Sequence, residues 1–493
     1  MRIRGIALGT LALAFMLCGP AAGDVTLPAV ISDGMILQQA AKAPIWGKAQ
    51  PGEQVTVALG DQKAVAAADK DGKWMVGIDV PKADGKPLEM TITGKNTVKL
   101  KDVLAGEVWL CSGQSNMSWP FSMGKVAQPG KGVELDLPHL RVFNGASAAT
   151  DVPQWTTEGN WVASSQKTIG QWAATVFFFG RDLHNSLKAP VGLIDVSWGG
   201  HQIDHFMSDE LLRSDPDFRG LISGWTRERY AQTQRRRHPS SIYNCKVAPV
   251  IPYGIRGAIW WQGEFNVGTG EALYEKLFAA LIRDWRKTWG HGDFPFIFVQ
   301  LQRDKGPQKQ PVEKSGYAEV REAQLRTLAL PKTAMVVIID LEASLHPRSK
   351  DVVGNRLELA AEAIAYGKDV VHSGPIYDSM TVEGGKFRLK FKHVGGGLVA
   401  KGAASDTQPA ETLKGFAIAG QDMKFVWAEA RVEPSTPSTG SGQAGSGQVA
   451  DTVLVWSKDV PKPAAVRYAW ADNPDCNLFN KVGLPASPFR TDR

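Results

Sequence analysis

Four short polar segments of the chain carry groups that could together perform nucleophilic catalysis. Ser115 lies in CSGQSN, directly after the apolar run EVWL, and Gly199-Gly200 follows the run VGLIDVSW. Asn266 ends the segment GEFN after IRGAIWWQ, and His346 lies in DLEASLHP after AMVVII. A serine hydroxyl is a weak nucleophile that needs a base to remove its proton, and a histidine can be that base. These residue types therefore predict an acyl-transfer site, if the fold brings them together.

Other groups in these segments could stabilise the charges that acyl transfer creates. The tetrahedral intermediate carries an oxyanion, which preorganised N–H donors stabilise. The backbone N–H groups of Ser115 and of Gly199 or Gly200, with the side-chain amide of Asn266, would supply three such donors. Glycine suits this position because the backbone must come close to the substrate. We therefore expect an oxyanion hole beside the serine.

Each residue also has an ordinary structural interpretation. Serine is common in turns, glycine pairs mark many loops, and Asn266 could cap a helix that begins near residue 270. His346 precedes a proline and could belong to a surface loop. The combination of all four segments at the ends of apolar runs is what favours chemistry.

Residues 105–366 predict the sheet that would bring the four segments together. Apolar strand runs alternate there with amphipathic helix patterns, such as the apolar positions repeated every four residues in 271–289. Strands without polar alternation, separated by helices, indicate an α/β fold with a doubly wound parallel sheet covered on both faces. Ligands of such sheets bind beyond the carboxyl ends of the strands, which is where the polar segments lie.

Two regions of short β runs flank this central domain. Residues 24–104 contain APIWGKA, EQVTVAL, KWMVGID and LEMTITG between turn residues, which predicts an N-terminal antiparallel sandwich. Residues 367–493 return to short β runs and predict a C-terminal β domain. Within it, residues 434–449 are rich in Ser, Gly and Pro, which is typical of a flexible loop.

Residues 1–23 are typical of a cleaved secretory signal. Two arginines precede an apolar run from Ile6 to Cys18, and small residues follow as far as Gly23. We therefore expect an exported protein, either periplasmic or extracellular. No other apolar run is long enough to span a bilayer, so no membrane span is expected.

Composition argues against several other classes of function. The net charge is +6 with acidic and basic residues intermixed, and the densest basic run, 235–237, is typical of a solvated loop, so no nucleic-acid partner is expected. Three cysteines beyond the signal segment do not form a disulfide framework. His201 and His205 are spaced like metal ligands but lack a third ligand, so no metal is expected.

Two pairs of residues near these segments have alternative roles. His201 and His205, with Asp204 beside them, could compete with His346 as the base, but His346 follows a strand end and is preferred. Trp260 and Trp261 alternate along a strand, so at most one could face a sugar, and core packing accounts for both.

Five segments resemble the bacterial sialate O-acetylesterase family, which belongs to the SGNH (GDSL-like) esterases. They are GEVWLCSGQSNM, GLIDVSWGG, IWWQGEFN, LHPRSK and VRYAWADNPDCNLFNKVGLPASPFRTD. The resemblance implies an SGNH-hydrolase-like fold and removal of acetyl groups from sugar hydroxyls, foremost those of O-acetylated sialic acid, without a cofactor. It also implies Ser115 as the nucleophile, Gly199-Gly200 and Asn266 as oxyanion donors, and His346 as the base.

The acid that would orient the histidine has several candidates. Relatives often carry an aspartate two or three residues before the histidine, where this chain has Ser344 and Ala343. Glu264 ranks first, because some related carbohydrate esterases use the glutamate of the Gln-Gly-Glu-x-Asn segment. Glu342 ranks second, with Asp340 also nearby, and a Ser-His pair without an acid ranks third.

Two further functions share these observations. An acetylesterase for a plant polysaccharide such as xylan would use the same catalytic residues. A carbohydrate-binding protein with a degenerate esterase site would explain the missing aspartate. In each case the expected partner is an acetylated carbohydrate.

Overall fold

The computed structural model describes residues 24–145, 148–226, 229, 238–402, 412–434 and 449–492. Three sequence predictions lie outside these residues: the signal segment 1–23, the arginine run 235–237, and positions 435–448 of the predicted loop. Across the described ranges, no helix has both the length and the apolar composition needed to cross a bilayer.

Except for the first, which pairs in parallel, the N-terminal strands form small antiparallel pairings. They are β1 (Ile36–Gln38), β2 (Ala41–Lys48), β3 (Gln54–Leu59), β4 (Gln62–Ala67), β5 (Lys73–Val80) and β6 (Leu88–Thr93). β2 pairs with β5, and β3 pairs with β4 and β6. Exposed and buried residues alternate along the whole of β5, as expected for a strand with one face in the core.

One long strand, β7 (Thr97–Gly113), joins the N-terminal strands to the central sheet. Its first half pairs antiparallel with β6, and Leu104 to Gly106 pair in parallel with β1. From Glu107 onward, every residue of β7 is buried. The strand therefore crosses the predicted boundary at residues 104–105 without interruption and ends two positions before Ser115.

The central sheet is parallel except at one edge. Its other strands are β8 (Leu137–Asn144), β9 (Trp161–Ser164), β10 (Val191–Asp195), β11 (Gly257–Trp261), β12 (Phe296–Val299) and β13 (Thr333–Val336). The order is β13-β12-β11-β7-β10-β8-β9, and only the pairing of β9 with β8 is antiparallel within this set. The direction of winding changes at β7, so the carboxyl end of β7 is the point where a ligand crevice is expected.

Helices cover both faces of this sheet. They are α1 (Ser115–Ser118), α2 (Ala174–Leu187), α3 (Asp209–Ser214), α4 (Arg219–Ile222), α5 (Glu271–Trp289), α6 (Gly316–Thr327) and α7 (Lys350–Tyr366). Side chains of α2 and α7 share one core with Trp261, whereas α5 and α6 share the opposite core with Trp260. Successive strand residues point to opposite faces, so the two cores confirm the predicted doubly wound arrangement.

The C-terminal strands form antiparallel sheets of their own. They are β14 (Ile376–Glu383), β15 (Lys386–Lys392), β16 (Leu398–Ala400), β17 (Phe416–Ala419), β18 (Val426–Trp427), β19 (Glu429–Glu433), β20 (Thr452–Trp456), β21 (Ala465–Tyr468), β22 (Leu478–Asn480) and β23 (Phe489–Arg490). The sheet orders are β14-β15-β20-β19, β18-β17-β21-β23 and β16-β22.

Buried polar contacts fasten these C-terminal strands to the central sheet. The fully buried guanidinium of Arg321 on α6 donates to the carbonyl oxygens of Ala471 at 2.6 Å and Asp472 at 3.0 Å. Arg490 on β23 forms an ion pair with Glu322 on α6 at 2.9 Å. Helix α6, which covers one face of the central sheet, is thus held against the C-terminal region.

Candidate active site

Ser115 and His346 meet at the carboxyl edge of the central sheet. The Ser115 Oγ lies 2.8 Å from the His346 Nε2, although the two residues are 231 positions apart. Ser115 begins α1 directly after β7, and His346 lies in the loop between β13 and α7. The serine is buried and the histidine is half-buried. The distance is that of a hydrogen bond between a nucleophile and its base.

Close backbone packing fixes the position of Ser115. Gly113 has a φ of +134°, and a Cβ added there would lie 2.1 Å from the Trp261 carbonyl oxygen, so only glycine fits where β7 leaves β11. Gln114 N donates to that same carbonyl at 2.9 Å. The turn that presents the serine is therefore tied to the neighbouring strand.

The predicted oxyanion residues lie on the two loops that follow β10 and β11. A Cβ added to Gly199 would lie 3.3 Å from the Ser115 Cβ, so this glycine packs directly against the serine. Gly200 has a φ of +75°, in the left-handed region that favours glycine. Asn266 is buried, and its Oδ1 accepts from Gln262 Nε2 at 2.7 Å and from the Ile203 N–H at 3.1 Å. These bonds orient the Asn266 amide so that Nδ2 remains as a donor.

The His346 imidazole lies in an environment that keeps it neutral. Its ring stacks on the Trp119 indole, with ring centroids 3.8 Å apart and planes inclined by 23°. Burial, together with the nearby positive charges of Lys350 and Lys125, lowers the pKa of His346 to about 4. A neutral imidazole can accept a proton, so the ring is in the form that a general base requires at neutral pH.

Two carboxylates near His346 in sequence are engaged elsewhere. Glu342 accepts hydrogen bonds from the Arg348 and Ser349 N–H groups and from the Ser349 hydroxyl, and so caps the beginning of α7. Asp340 forms two hydrogen bonds of 2.7 Å with the Arg356 guanidinium. The structure therefore brings neither Glu342 nor Asp340 to the imidazole.

Glu264 lies beside the site but does not touch the His346 ring. Its Oε1 accepts from the side-chain amides of Asn116 and Gln302, the latter at 3.2 Å. Both amides also donate to the Leu345 carbonyl oxygen, each at 2.9 Å. Within the described part of the chain, no carboxylate oxygen bonds to the imidazole of His346. The predicted direct contact between Glu264 and His346 is thus absent, and the two are connected through the peptide before the histidine.

The pKa of Glu264 is raised because its carboxyl group is buried, while hydrogen bonds from Asn116 and Gln302 and the charge of Lys350 oppose that shift. Glu264 Oε2 has no hydrogen-bond partner among the described residues. The carboxyl group is therefore held by one oxygen in a buried, amide-lined position.

Lys350 completes the buried polar cluster. It is fully buried at the beginning of α7, and its Nζ donates to Asn116 Oδ1 at 2.5 Å and lies 4.1 Å from the centroid of the Trp261 ring. Burial lowers the pKa of Lys350 to about 7, against the attraction of Glu264 and Glu342. Because the Asn116 side-chain oxygen accepts from Lys350, the amide nitrogen of Asn116 points toward Glu264 and Leu345.

Sequence reasoning missed Asn116, Gln302 and Lys350 as parts of the site. Asn116 and Lys350 lie inside the quoted segments CSGQSN and LHPRSK, so their segments carried a signal. Gln302 follows β12 in no recognised motif, and its only signal is a polar residue at the carboxyl end of a buried strand.

The alternative base residues are buried in the loop that follows β10. His201 is 3% exposed and does not face water, and its Nδ1 lies 2.9 Å from the Gly199 carbonyl oxygen. His205 lies 3.9 Å from Asp204, whose pKa burial raises to about 6. In the described ranges, no group of three or more metal-ligating side chains forms. Trp260 and Trp261 are both fully buried in the core.

The chain is similar to known carbohydrate esterases. The model of the family "Carbohydrate esterase, sialic acid-specific acetylesterase" matches residues 105–363. The sialate O-acetylesterase of Homo sapiens is 29% identical, over 93% of this chain and 91% of that protein. That of Mus musculus is 30% identical, over 70% of this chain and 74% of that protein.

A solved structure extends the similarity to the fold. The crystal structure of a carbohydrate acetylesterase from Xanthomonas citri has a TM-score of 0.79 and 34% identity, covering 95% of this chain and 100% of that chain. The matched family region spans β7 to α7, which contains every residue of the Ser115–His346 site. The chain therefore belongs to the sialic acid-specific acetylesterase family of carbohydrate esterases.

Proposed function

We propose that this protein is a serine esterase that releases acetate from O-acetylated sialic acid or a closely related acetylated sugar. The observation that carries the proposal is the 2.8 Å contact between Ser115 Oγ and the Nε2 of a neutral His346. Membership of the sialic acid-specific acetylesterase family supports the substrate class. As part of the same proposal, the sheet is of the SGNH type, and the segment 1–23 directs the protein to the periplasm or the medium.

The reaction proceeds in two acyl transfers. Ser115 Oγ attacks the acetyl carbonyl carbon while His346 Nε2 takes the hydroxyl proton, which gives a tetrahedral oxyanion. The C–O bond to the sugar then breaks, and His346 returns its proton to the departing sugar oxygen. Water, deprotonated by the same imidazole, attacks the acetyl-serine, and acetate leaves as the proton returns to Ser115. The histidine is thus base and acid in turn.

The oxyanion is stabilised by donors that are already in place. The candidates are the N–H groups of Ser115 and of Gly199 or Gly200, and the Asn266 amide. The close packing of Gly199 on Ser115 supports its inclusion, because a donor must lie within hydrogen-bond reach of the developing charge. The oriented, buried amide of Asn266 supports the third donor.

Glu264 positions the base instead of bonding to it. Its Oε1 holds the Asn116 and Gln302 amides, and both amides hold the Leu345 carbonyl next to His346. The catalytic pair is therefore Ser115 and His346, and the carboxylate acts through two amides and a peptide.

The test is acetate release from O-acetylated sialic acid, acetylated xylan and 4-nitrophenyl acetate. Ser115→Ala should lose roughly a thousandfold or more of the turnover. Ser112→Ala is the matched control, because Ser112 is fully buried near the end of β7, three positions before Ser115, and its hydroxyl has no partner among the described residues. Acetate release by Ser115→Ala at the wild-type rate would refute the proposal.

A second candidate is an acetylesterase for other acetylated polysaccharides. It is favoured by the likeness to the Xanthomonas citri structure, which is named only a carbohydrate acetylesterase. The same residues would catalyse both reactions, so the ratio of kcat/KM for acetylated sialic acid and acetylated xylan separates the candidates. A wild-type protein that releases no acetate from any of these substrates would instead favour a carbohydrate-binding protein with a degenerate site.

A further inference from the structure

A second concave site lies where the central and C-terminal regions meet. It is a groove of about 310 Å³ whose walls include Gln308 and Lys309 from the loop after β12, and Lys414, Trp427 and Asp475 from the C-terminal strands. Ligand sites occur preferentially at such seams between packed regions. None of the groups assigned to acetyl transfer lines this groove.

Trp427 gives the groove an apolar face that is open to solvent. The side chain is 42% exposed, although it lies on β18, whose pairing with β17 fixes the backbone. The indole Nε1 lies 3.4 Å from the Lys309 carbonyl oxygen, which directs the ring edge toward the opposite wall. An exposed, fixed indole can bury a large apolar area against a ligand at little cost in side-chain entropy.

The polar lining of the groove consists of two lysines, Lys309 and Lys414, together with Asp475 and Gln308. Lys414 Nζ and Asp475 Oδ2 form an ion pair of 3.0 Å, and both side chains remain largely exposed. The Gln308 amide nitrogen donates to the Gln310 carbonyl oxygen at 3.1 Å, which leaves its amide oxygen as an acceptor. Donors and acceptors beside an aromatic face suit a sugar ring, which has hydroxyls on its rim and C–H groups on its faces.

The groove is connected to the catalytic site by a short, fixed segment of chain. Gln302 holds the peptide before His346, and Gln308 follows it by six positions, so their backbones are at most roughly 22 Å apart. Asp304 N and Gln308 N bond to the Asp472 and Asn473 carbonyl oxygens at 3.1 and 3.0 Å. A glycan of a few sugar units could therefore contact both sites at once.

We propose that the Trp427 groove is a sugar-binding subsite that holds a further, non-acetylated ring of an oligosaccharide or polysaccharide substrate. The inference rests on the proposed function in one respect: the acetylated ring of the same chain occupies the Ser115–His346 site. Stacking on Trp427 supplies affinity, and the Lys414–Asp475 pair and Gln308 bind the ring hydroxyls.

The first experiment compares Trp427→Ala with Trp155→Ala. Trp155 is a matched control because it is 37% exposed and lies under Lys48, outside the groove. We expect Trp427→Ala to raise KM about tenfold for acetylated xylan or for a mucin bearing O-acetylated sialic acid. Its kcat/KM for 4-nitrophenyl acetate should stay unchanged, and Trp155→Ala should match wild type on both substrates. An unchanged KM for both polymers would overturn the proposal.

A binding experiment separates this proposal from the esterase function. Migration in native gels that contain xylan or mucin is compared for three proteins. They are Ser115→Ala alone, Ser115→Ala combined with Trp427→Ala, and Ser115→Ala combined with Trp427→Phe, which keeps an aromatic face. Retardation that disappears with Trp427→Ala and persists with Trp427→Phe supports the subsite, whether or not the wild type releases acetate. Equal retardation of all three proteins, or none in either gel, rejects it.

Discussion

The carboxylate of Glu264 and the backbone carbonyl of Leu345 accept hydrogen bonds from the same two side-chain amides. Asn116 Nδ2 and Gln302 Nε2 each donate to Glu264 Oε1, and each lies 2.9 Å from the Leu345 oxygen. Because Leu345 directly precedes His346, this arrangement fixes the peptide from which the imidazole projects. A carboxylate can thus determine where the base lies without contacting its ring.

Glu264→Gln should therefore be a mild substitution. The new amide oxygen can still accept from Asn116 and Gln302, so we expect a loss of about tenfold in kcat/KM for 4-nitrophenyl acetate. Glu264→Leu removes the acceptor for both amides and should lower kcat/KM about a hundredfold, mostly through a lower kcat. Replacing a triad aspartate by its amide costs about four orders of magnitude, and a loss of that size in Glu264→Gln would indicate direct contact with the imidazole during turnover.

Gln302→Met should lower kcat with little change in KM. The substitution removes one of the two amides that hold Leu345, so the imidazole spends less time aligned with Ser115. Gln300→Met is the control, since Gln300 is equally buried but donates to the Arg321 carbonyl and the Ser487 hydroxyl, away from the site. We expect both variants to lose thermal stability and only Gln302→Met to lose about tenfold in kcat. Equal kcat values would assign Gln302 a merely structural role.

The acid limb of the pH–rate profile should respond to Lys350. The reaction needs a neutral His346, so activity falls as pH decreases through its pKa of about 4. Lys350→Met removes a like charge that lowers this pKa, and the acid limb should move to higher pH. Lys125→Met should move the acid limb in the same direction. Because Lys125 is exposed and Lys350 is buried, high salt should weaken the effect of Lys125→Met but not that of Lys350→Met. An acid limb that stays in place in both variants would contradict the electrostatic account.

The parts of the site that sequence could predict are those carried by regular elements. The apolar repeat at 271–289 became α5 (Glu271–Trp289), and the runs around EVWL and GAIWW became adjacent parallel strands. Once the sheet is parallel, polar residues after its strands must gather at one edge, which is how Ser115 and His346 come together.

The partners of the carboxylates could not be predicted in this way. Glu342 and Asp340 lie four and six positions before His346, yet they bind α7 and Arg356 instead. Sequence distance does not say where a side chain points in an irregular loop, and the bonds of Gln302 and Lys350 join elements far apart in the chain. These contacts depend on tertiary packing, so only the structure reveals them.

Gly199→Ala should impair catalysis without unfolding the protein. A Cβ there would lie 3.3 Å from the Ser115 Cβ, so the serine or the glycine loop must shift by a few tenths of an ångström. We expect kcat to fall about tenfold or more, with an unchanged melting temperature. Gly220→Ala is the control, because an added Cβ there meets nothing within 4 Å. Wild-type kcat in Gly199→Ala would place the oxyanion donors elsewhere.

Lys350 should also make stability depend on pH. Its pKa is about 7 in the folded protein and near the ordinary value of 10.5 when unfolded, so between these values the unfolded chain binds more protons. The free energy of unfolding must then rise with pH over this window, by up to about 1.4 kcal/mol per pH unit for one group. Below pH 7 the lysine is charged in both states, and the full cost of burying that charge remains. Lys350→Met should lack this contribution.

Urea unfolding followed by tryptophan fluorescence should therefore show the wild type gaining stability relative to Lys350→Met from pH 7 to pH 9. A constant difference over that range would mean that the lysine keeps its ordinary pKa, with its charge stabilised by Glu264 and Asn116.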